Sequence, residues 1–214
     1  MKILLLGIFF VCLNTFTGSS FDAITKYLSI NNYKWYHYYS IGGTAAIILL
    51  ILFFFTNGEI KKHLTLKNKN HFYFLILRGI SFIPVLLIVF YSLKYIPISL
   101  FATLIMTSPF FLLIFAKIIL KEKLNYLSWA AILIGFCGVL IVLRPSLSNI
   151  NIFIFLVFFA VLIISFNFTI VSKYSHIATS YGFTFYQYLP ITLFAYIFFI
   201  FDPLVPSLKE FILF

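Results

Sequence analysis

The groups able to do chemistry in this 214-residue sequence are few, and most lie inside long apolar runs. Asn14, Thr103, Thr107, Ser108, Ser165 and Asn167 are uncharged hydrogen-bonding residues set deep in such runs. Thr103 and Thr107 are four apart, so a continuous helix would stack them on one face. Pro109 would free a backbone carbonyl beside them. Residues of this kind serve either as glue between membrane helices or as walls of a polar cavity. Four charged residues allow sharper chemistry. Asp22 and Lys26 have the spacing of a pair along one helical face, acting as a local ion pair or as a gate or recruiting site near a membrane surface. Arg78 lies about seven residues into its apolar run, which is roughly 10 Å along a helix. A charge at the centre of a span costs ~2.5–3.5 kcal/mol on insertion scales. Arg78 can snorkel to the surface, contact an anionic substrate, or pair with a carboxylate. Glu122 sits between Lys121 and Lys123 in "LKEKL". It reads as a solvated helix-end carboxylate, a structural partner at a hairpin, or a coupling group. Together these residue types suit recognition of a small polar solute and ionic gating, not bond-making.

Helices in a bilayer must position them. The chain is 63% hydrophobic and 9% charged, with mean hydropathy +1.11. A soluble domain carries roughly 25% charged residues. Apolar runs approaching the ~20 residues that cross a bilayer predict seven spans, over 3–27, 35–56, 72–93, 97–120, 125–143, 151–172 and 181–201. An unclosed strand cannot satisfy its backbone in lipid, so the expected fold is an all-α polytopic membrane bundle. The first span reads as a transmembrane helix, because apolar spacing resumes after "TGSS" and no A-x-A-like cleavage site follows. Connections are short except the polar, Lys-rich stretch 57–70. Cys12 and Cys137 read as buried packing residues with no disulfide. Trp35 and Trp129 read as interface anchors, and Tyr36, His37, Tyr186 and Gln187 as interface residues rather than ligands.

Lysine and arginine in the loops set the expected orientation. An internal N-terminus places Lys2, Lys61, Lys62, Lys67, Lys69, Lys121, Lys123 and Lys173 on the cytoplasmic side. Lys26, Lys34, Lys94, Arg144 and Lys209 then lie outside. The bias favours a cytoplasmic N-terminus in an inner membrane, and the 57–70 stretch decides it. The net charge of +10 is topogenic charge facing anionic lipid, with no polar basic face for nucleic acid. There is no G-x-x-x-x-G-K loop for ATP hydrolysis. The seventh span lacks a lysine for a retinal Schiff base. His37, His63, His71 and His176 have no metal-ligand spacing with carboxylates. No nucleophile–base constellation suggests an enzyme, and no cofactor is expected.

A repeat organises the spans. "AITKYLS" (23–29) and "IVSKYSH" (170–176) align at an offset of 147, and "YHY" (36–38) and "YQY" (186–188) at an offset of 150. Spans six and seven therefore repeat spans one and two. A unit of five spans is odd, so its copy enters the membrane inverted, as in secondary transporters. The stretch "SPFFLLIFAKIILKEKLNYLSWAAILIGFCGVLIVLRP" (108–145), with "LRGISF" (77–82) and "YSLKYIPISLFATL" (91–104) upstream, resembles the EamA domain of drug/metabolite transporter permeases. The matching features are Pro109 within the fourth helix, Glu122 closing it, Gly135 and Gly138 in the fifth, and the exit Leu143-Arg144-Pro145. The resemblance implies about ten helices in two inverted repeats, residues 1–145 forming the first and 146–214 part of the second. It also implies alternating-access transport of a small polar metabolite, and it favours a structural role for Glu122. The 147-residue offset places the end of a full second repeat at roughly residue 290. The expectation is thus a permease needing more chain or a homodimeric partner, or else a truncated or accessory membrane subunit. Small-molecule substrate and lipid are the expected partners.

Overall fold

A computed structural model of the protein describes residues 2–58, 60–64, 66, 68–123, 125–143 and 151–204. The Arg144-Pro145 exit, the tail from 205 onward, and Lys67 and Lys209 of the charge count lie outside them. The described residues form helices α1 (Lys2–Ile30), α2 (Trp35–Thr56), α3 (Ile60–Leu64), α4 (Lys69–Tyr95), α5 (Ile98–Ile105) and α6 (Ser108–Phe115). A π-helical turn (Ala116–Leu120) follows, then α7 (Tyr126–Leu143), α8 (Ile152–Lys173) and α9 (Ser180–Phe199). Among the described residues, six stretches are long and apolar enough to cross a bilayer: Leu5–Ile30, Trp35–Thr56, Lys69–Tyr95, Ile98–Leu120, Ile152–Lys173 and Ser180–Phe199. A shorter apolar helix covers Tyr126–Gly138. The protein is an all-α polytopic membrane bundle.

Helix ends follow local chemistry. Asn68, Asn151 and Thr179 cap α4, α8 and α9, their side chains accepting from the N–H groups of Asn70, Phe153 and Gly182. An N-cap oxygen satisfies a donor that the helix itself leaves orphaned. Asn32 turns the chain after α1 with φ 62°, a conformation asparagine tolerates better than most residues.

The expected fourth span is not one continuous α-helix. Met106 and Thr107 form a turn between α5 and α6, and Pro109 stands at the start of α6. Proline has no N–H and cannot bond back to the carbonyl four residues earlier. The last turns of this span then widen into the π segment, which ends at Lys121 in the left-handed region, φ 57°. The polar 57–70 stretch also contains structure that its composition did not suggest, namely α3.

Packing places α4 at the centre, against α1, α8 and α9, while α2 lies along α9 and α7 borders α5 and α6. Small residues permit the closest approaches. A Cβ added to Gly43 would overlap the side chain of Thr192, and one on Gly79 would come within 2.9 Å of the Tyr186 carbonyl. The α2–α9 and α4–α9 seams are therefore backbone-close, as small residues allow between membrane helices. Val85, Val89, Leu93, Phe101, Val157, Ala160, Val161 and Ala195 fill the core. Leu5, Phe9, Phe16, Ile134, Ile141 and Phe155 point outward, which costs nothing where the solvent is hydrocarbon.

Two expectations about single residues change. Cys12 and Cys137 are free thiols, as expected, but they are exposed rather than buried. Trp35 is buried in an aromatic cluster, stacked on Phe194 at 5.6 Å and edge-on to Phe198 at 5.1 Å. Trp129 is half-buried on α7.

Candidate functional site

The sequence brings polar and aromatic side chains together where α1, α2, α4 and α9 converge. A cavity of about 230 Å³ opens there, lined by Phe21, Tyr38, Tyr39, Gly42, Gly43, Leu86, Gln187, Tyr188 and Ile191. Aromatic rings form its walls and the Gln187 amide offers two donors and an acceptor. The glycines bring bare α2 backbone to the lining. A groove of about 400 Å³ also runs beside Ile41, Thr44, Ala45, Ile48, Leu49 and Tyr196. Its two hydroxyls, on Thr44 and Tyr196, bond to each other at 2.9 Å. That groove offers a solute only lipid-like surface.

Hydrogen bonds tie α2 and its flanks to α9 at both ends of the bundle. At the α3 end, His63 Nδ1 lies 2.7 Å from Thr179 Oγ1, and the Tyr186 hydroxyl donates to the Leu64 carbonyl at 2.7 Å. His63 is stacked on Phe54 at 4.7 Å. At the opposite end, the Tyr36 hydroxyl donates to Asp202 Oδ2 at 2.7 Å, and His37 Nε2 donates to the Asp202 carbonyl at 2.7 Å. The cavity lies between these two tied layers.

The charged residues singled out in the sequence behave differently from their simplest readings. Asp22 and Lys26 form no ion pair. Lys26 Nζ instead donates to the carbonyls of Leu93 at 2.7 Å and Ile96 at 2.9 Å, bracing the C-terminus of α4. Two good acceptors on a neighbouring helix outcompete a half-exposed carboxylate one turn away, and cations suit helix C-termini. Asp22, half-buried, follows the lining residue Phe21 on α1 but does not itself line the cavity.

Arg78 does not snorkel. It is 8% exposed, with its guanidinium 5.3 Å from the Phe82 ring and 5.4 Å from that of Phe183. Its Nη1 donates to the Phe183 carbonyl at 3.5 Å and its Nε has no partner. No carboxylate pairs with it among the described residues, and it does not line the cavity. Glu122 is exposed, and among the described residues its carboxylate forms no ion pair. Its backbone is what engages the helix, the N–H closing the π turn onto the Ala116 carbonyl at 3.3 Å.

The deep uncharged residues divide as well. Asn167 bonds Ser81 across α4 and α8, its Nδ2 donating to Ser81 Oγ at 3.1 Å, and Ser165 donates to the Ser108 carbonyl at 3.3 Å. Thr103 and Thr107 bond back to their own helix at Ser99 and Leu104, and the turn at Met106–Thr107 removes their common face. Asn14 is exposed on α1, away from the cavity. The cavity residues Tyr38, Tyr39 and Tyr188 escaped selection, and Gln187, read from the sequence as an interface residue rather than a ligand, lines the cavity. One signal pointed to them: "YHY" and "YQY" were matched as a repeat, and each contributes to this lining.

Comparison with known proteins agrees with this architecture. Over 54 residues, a quarter of this chain (25%), the sequence is 41% identical to a riboflavin transporter from Rhizobium johnstonii. The chain spans only 18% of that transporter's length in this match. The EamA-like transporter family matches residues 5–144, well over half of the chain. With six apolar helices long enough to cross a bilayer and a small aromatic cavity among them, this multi-pass membrane protein belongs to the EamA-like transporter family.

Proposed function

We propose that this chain is the solute-carrying part of a permease that moves a small polar metabolite across the inner membrane by alternating access. The observation that carries the reading is the cavity between α1, α2, α4 and α9, tied shut by hydrogen bonds on either side along the α2–α9 seam. Breaking one layer while keeping the other exposes the cavity to one side only. In this reading α8 and α9 are the inverted counterparts of α1 and α2, and the N-terminus is cytoplasmic, so α3 lies on the cytoplasmic side. Helix α9 runs opposite to α2, and α8 runs opposite to α4, which is parallel to α1; these directions support that arrangement.

The similarity to a riboflavin transporter makes riboflavin the first substrate to test. Phe21, Tyr38, Tyr39 and Tyr188 offer faces to a planar ring, and Gln187 offers hydrogen bonds to its edge. The cavity at about 230 Å³ is smaller than the ~300–1,000 Å³ of typical ligand sites, so a ligand of that size needs one layer to open. The test is counterflow of labelled riboflavin in proteoliposomes, run beside panels of amino acids and nucleosides. Saturable riboflavin exchange that falls at least tenfold in Gln187→Leu supports the reading. Exchange of another class alone keeps the permease and discards the flavin. No exchange of any class returns the chain to the accessory-subunit reading.

A further inference from the structure

We propose that His37 is a proton-operated latch on the outer layer: a proton on its ring tightens the bond between α2 and the Asp202 end of α9 and keeps the cavity shut to the outside. The proposal rests on the permease reading, whose outer layer it regulates. The His37 ring is buried, with Nε2 lying 2.7 Å from the Asp202 carbonyl and 3.7 Å from Oδ2 of the same residue. The Tyr36 hydroxyl donates to that Oδ2 at 2.7 Å and holds the carboxylate beside the ring. Tyr36 meets the imidazole edge-on at 4.6 Å and Phe199 does so at 5.8 Å. The ring cannot turn away from Asp202 without losing these contacts.

A carbonyl oxygen only accepts, so Nε2 carries the hydrogen and a neutral ring keeps its lone pair on Nδ1. Nδ1 is buried and meets no hydrogen-bond partner among the described residues. It is the atom to which a proton adds. The step balances with water: Nδ1 accepts a proton from water at the outer surface while the layer is open, and gives it back there when the layer next opens. Nδ1 lacks a partner with or without the proton, so what the proton changes is the charge of the ring. A neutral ring makes one hydrogen bond to Asp202, and a charged ring adds an ion pair with its carboxylate. Histidine is the side chain whose charge changes between about pH 5 and 8. The other titratable or charged groups around His37 are Tyr36 beside it, exposed Lys34 at the N-cap of α2, Tyr196 on α9 and exposed Tyr91 on α4. On α1, Lys26 is occupied by the carbonyls of Leu93 and Ile96. None of these supplies a second carboxylate. Acid outside therefore locks the outer layer, and alkali loosens it.

Two measurements on the full chain test this. The first needs no substrate. Unfolding by SDS in mixed micelles is followed for wild type, His37→Gln, Asp202→Asn and the double variant, at about pH 6 and about pH 8. The four proteins give the coupling between the two residues. Asp202 is 57% exposed, so the gain is that of a half-exposed ion pair: the coupling, as a ratio of equilibrium constants, should be about three- to fivefold larger in acid. Should His37→Gln not insert, His37→Asn takes its place. Coupling that is equal at the two pH values, or larger in alkali, overturns the proposal.

The second measurement reads the cavity in proteoliposomes, on protein cleared of Cys12 and Cys137. Tyr188→Cys is labelled from outside with a membrane-impermeant maleimide. Its rate is divided by that of exposed Asn32→Cys, which removes the reagent's own pH dependence. From acid to alkali the ratio should rise about threefold or more with His37 present, and stay level in His37→Gln. The same rise in both overturns the proposal. A ratio level in every variant, beside a coupling that does depend on pH, refutes the two-layer switch and the gate with it. Absence of any solute exchange fails the permease reading, and the coupling still decides whether a proton on His37 tightens the layer.

Discussion

At the scale of single residues, this membrane protein uses its scarce polar groups mainly to tie helices together. Lys26 is an example. Spacing alone pairs it with Asp22, yet its ammonium serves two carbonyls at the end of α4. Hydrogen bonds to a charged donor contribute about 1.5–3 kcal/mol each when well shielded, and half-exposure reduces this. Lys26→Met should therefore destabilise the purified protein by about 1–3 kcal/mol in total, read as a lower unfolding midpoint in detergent. An unchanged midpoint would remove Lys26 from the list of structural contacts. Asn167 makes the corresponding bond between α4 and α8. Asn167→Leu should cost about 0.6 kcal/mol, the average for polar pairs between membrane helices, and at most about 1.7, with uptake largely kept. Arg78 was legible as an oddity but not as a role. Its two aromatic neighbours, Phe82 and Phe183, are four and 105 positions away. The distant one is visible only after α4 meets α9.

At the scale of elements, close approach decides which helices pack together. Gly43 has no room for a side chain against Thr192, whereas Gly135 on α7 meets nothing within 4 Å. Gly43→Val should pry α2 from α9, cost about 1–3 kcal/mol or more as overpacking does, and sharply reduce uptake. Gly135→Ala should change neither. Thermal unfolding and counterflow on the two variants make the comparison, and equal behaviour would mean that the α2–α9 seam tolerates separation. The break in the fourth span has a different origin, local and covalent. Pro109 cannot donate to the carbonyl at Ile105, so this feature was readable from one residue. The π turn before Lys121 was not, because nothing in "AKIIL" separates it from an ordinary helical turn.

For the whole molecule, the proposed alternating access takes the two tied layers as its switch. Asp202→Ala removes the carboxylate that Tyr36 holds, and His63→Ala removes the partner of Thr179. Access to a cysteine placed at Tyr188 should then move in opposite directions, toward the outside for Asp202→Ala and toward the cytoplasm for His63→Ala. Labelling with a membrane-impermeant maleimide from each side, on protein cleared of Cys12 and Cys137, reads this. Movement in the same direction in both variants would sink the two-layer switch. The same background tests orientation. A cysteine at exposed Asn68 should label only from the cytoplasm and one at exposed Asn32 only from outside, and the reverse pattern inverts the bundle.

Composition and apolar run length were enough to determine an all-helical bundle in a bilayer, because the cost of unpaired backbone in lipid leaves a chain this apolar little else. The motif order around Pro109, Glu122 and Gly135 was enough to indicate the family, since those features lie close together in one stretch. The cavity was not readable in that way. Tyr38 and Gln187 are 149 positions apart, and in a chain with fourteen tyrosines neither stands out until α2 and α9 lie side by side. Deep position in a span suggested Asn14 and Thr107 instead. Depth fixes only the height of a residue in the membrane, while the direction a helix face points is set by the helices packed against it, and that is a property of the tertiary structure.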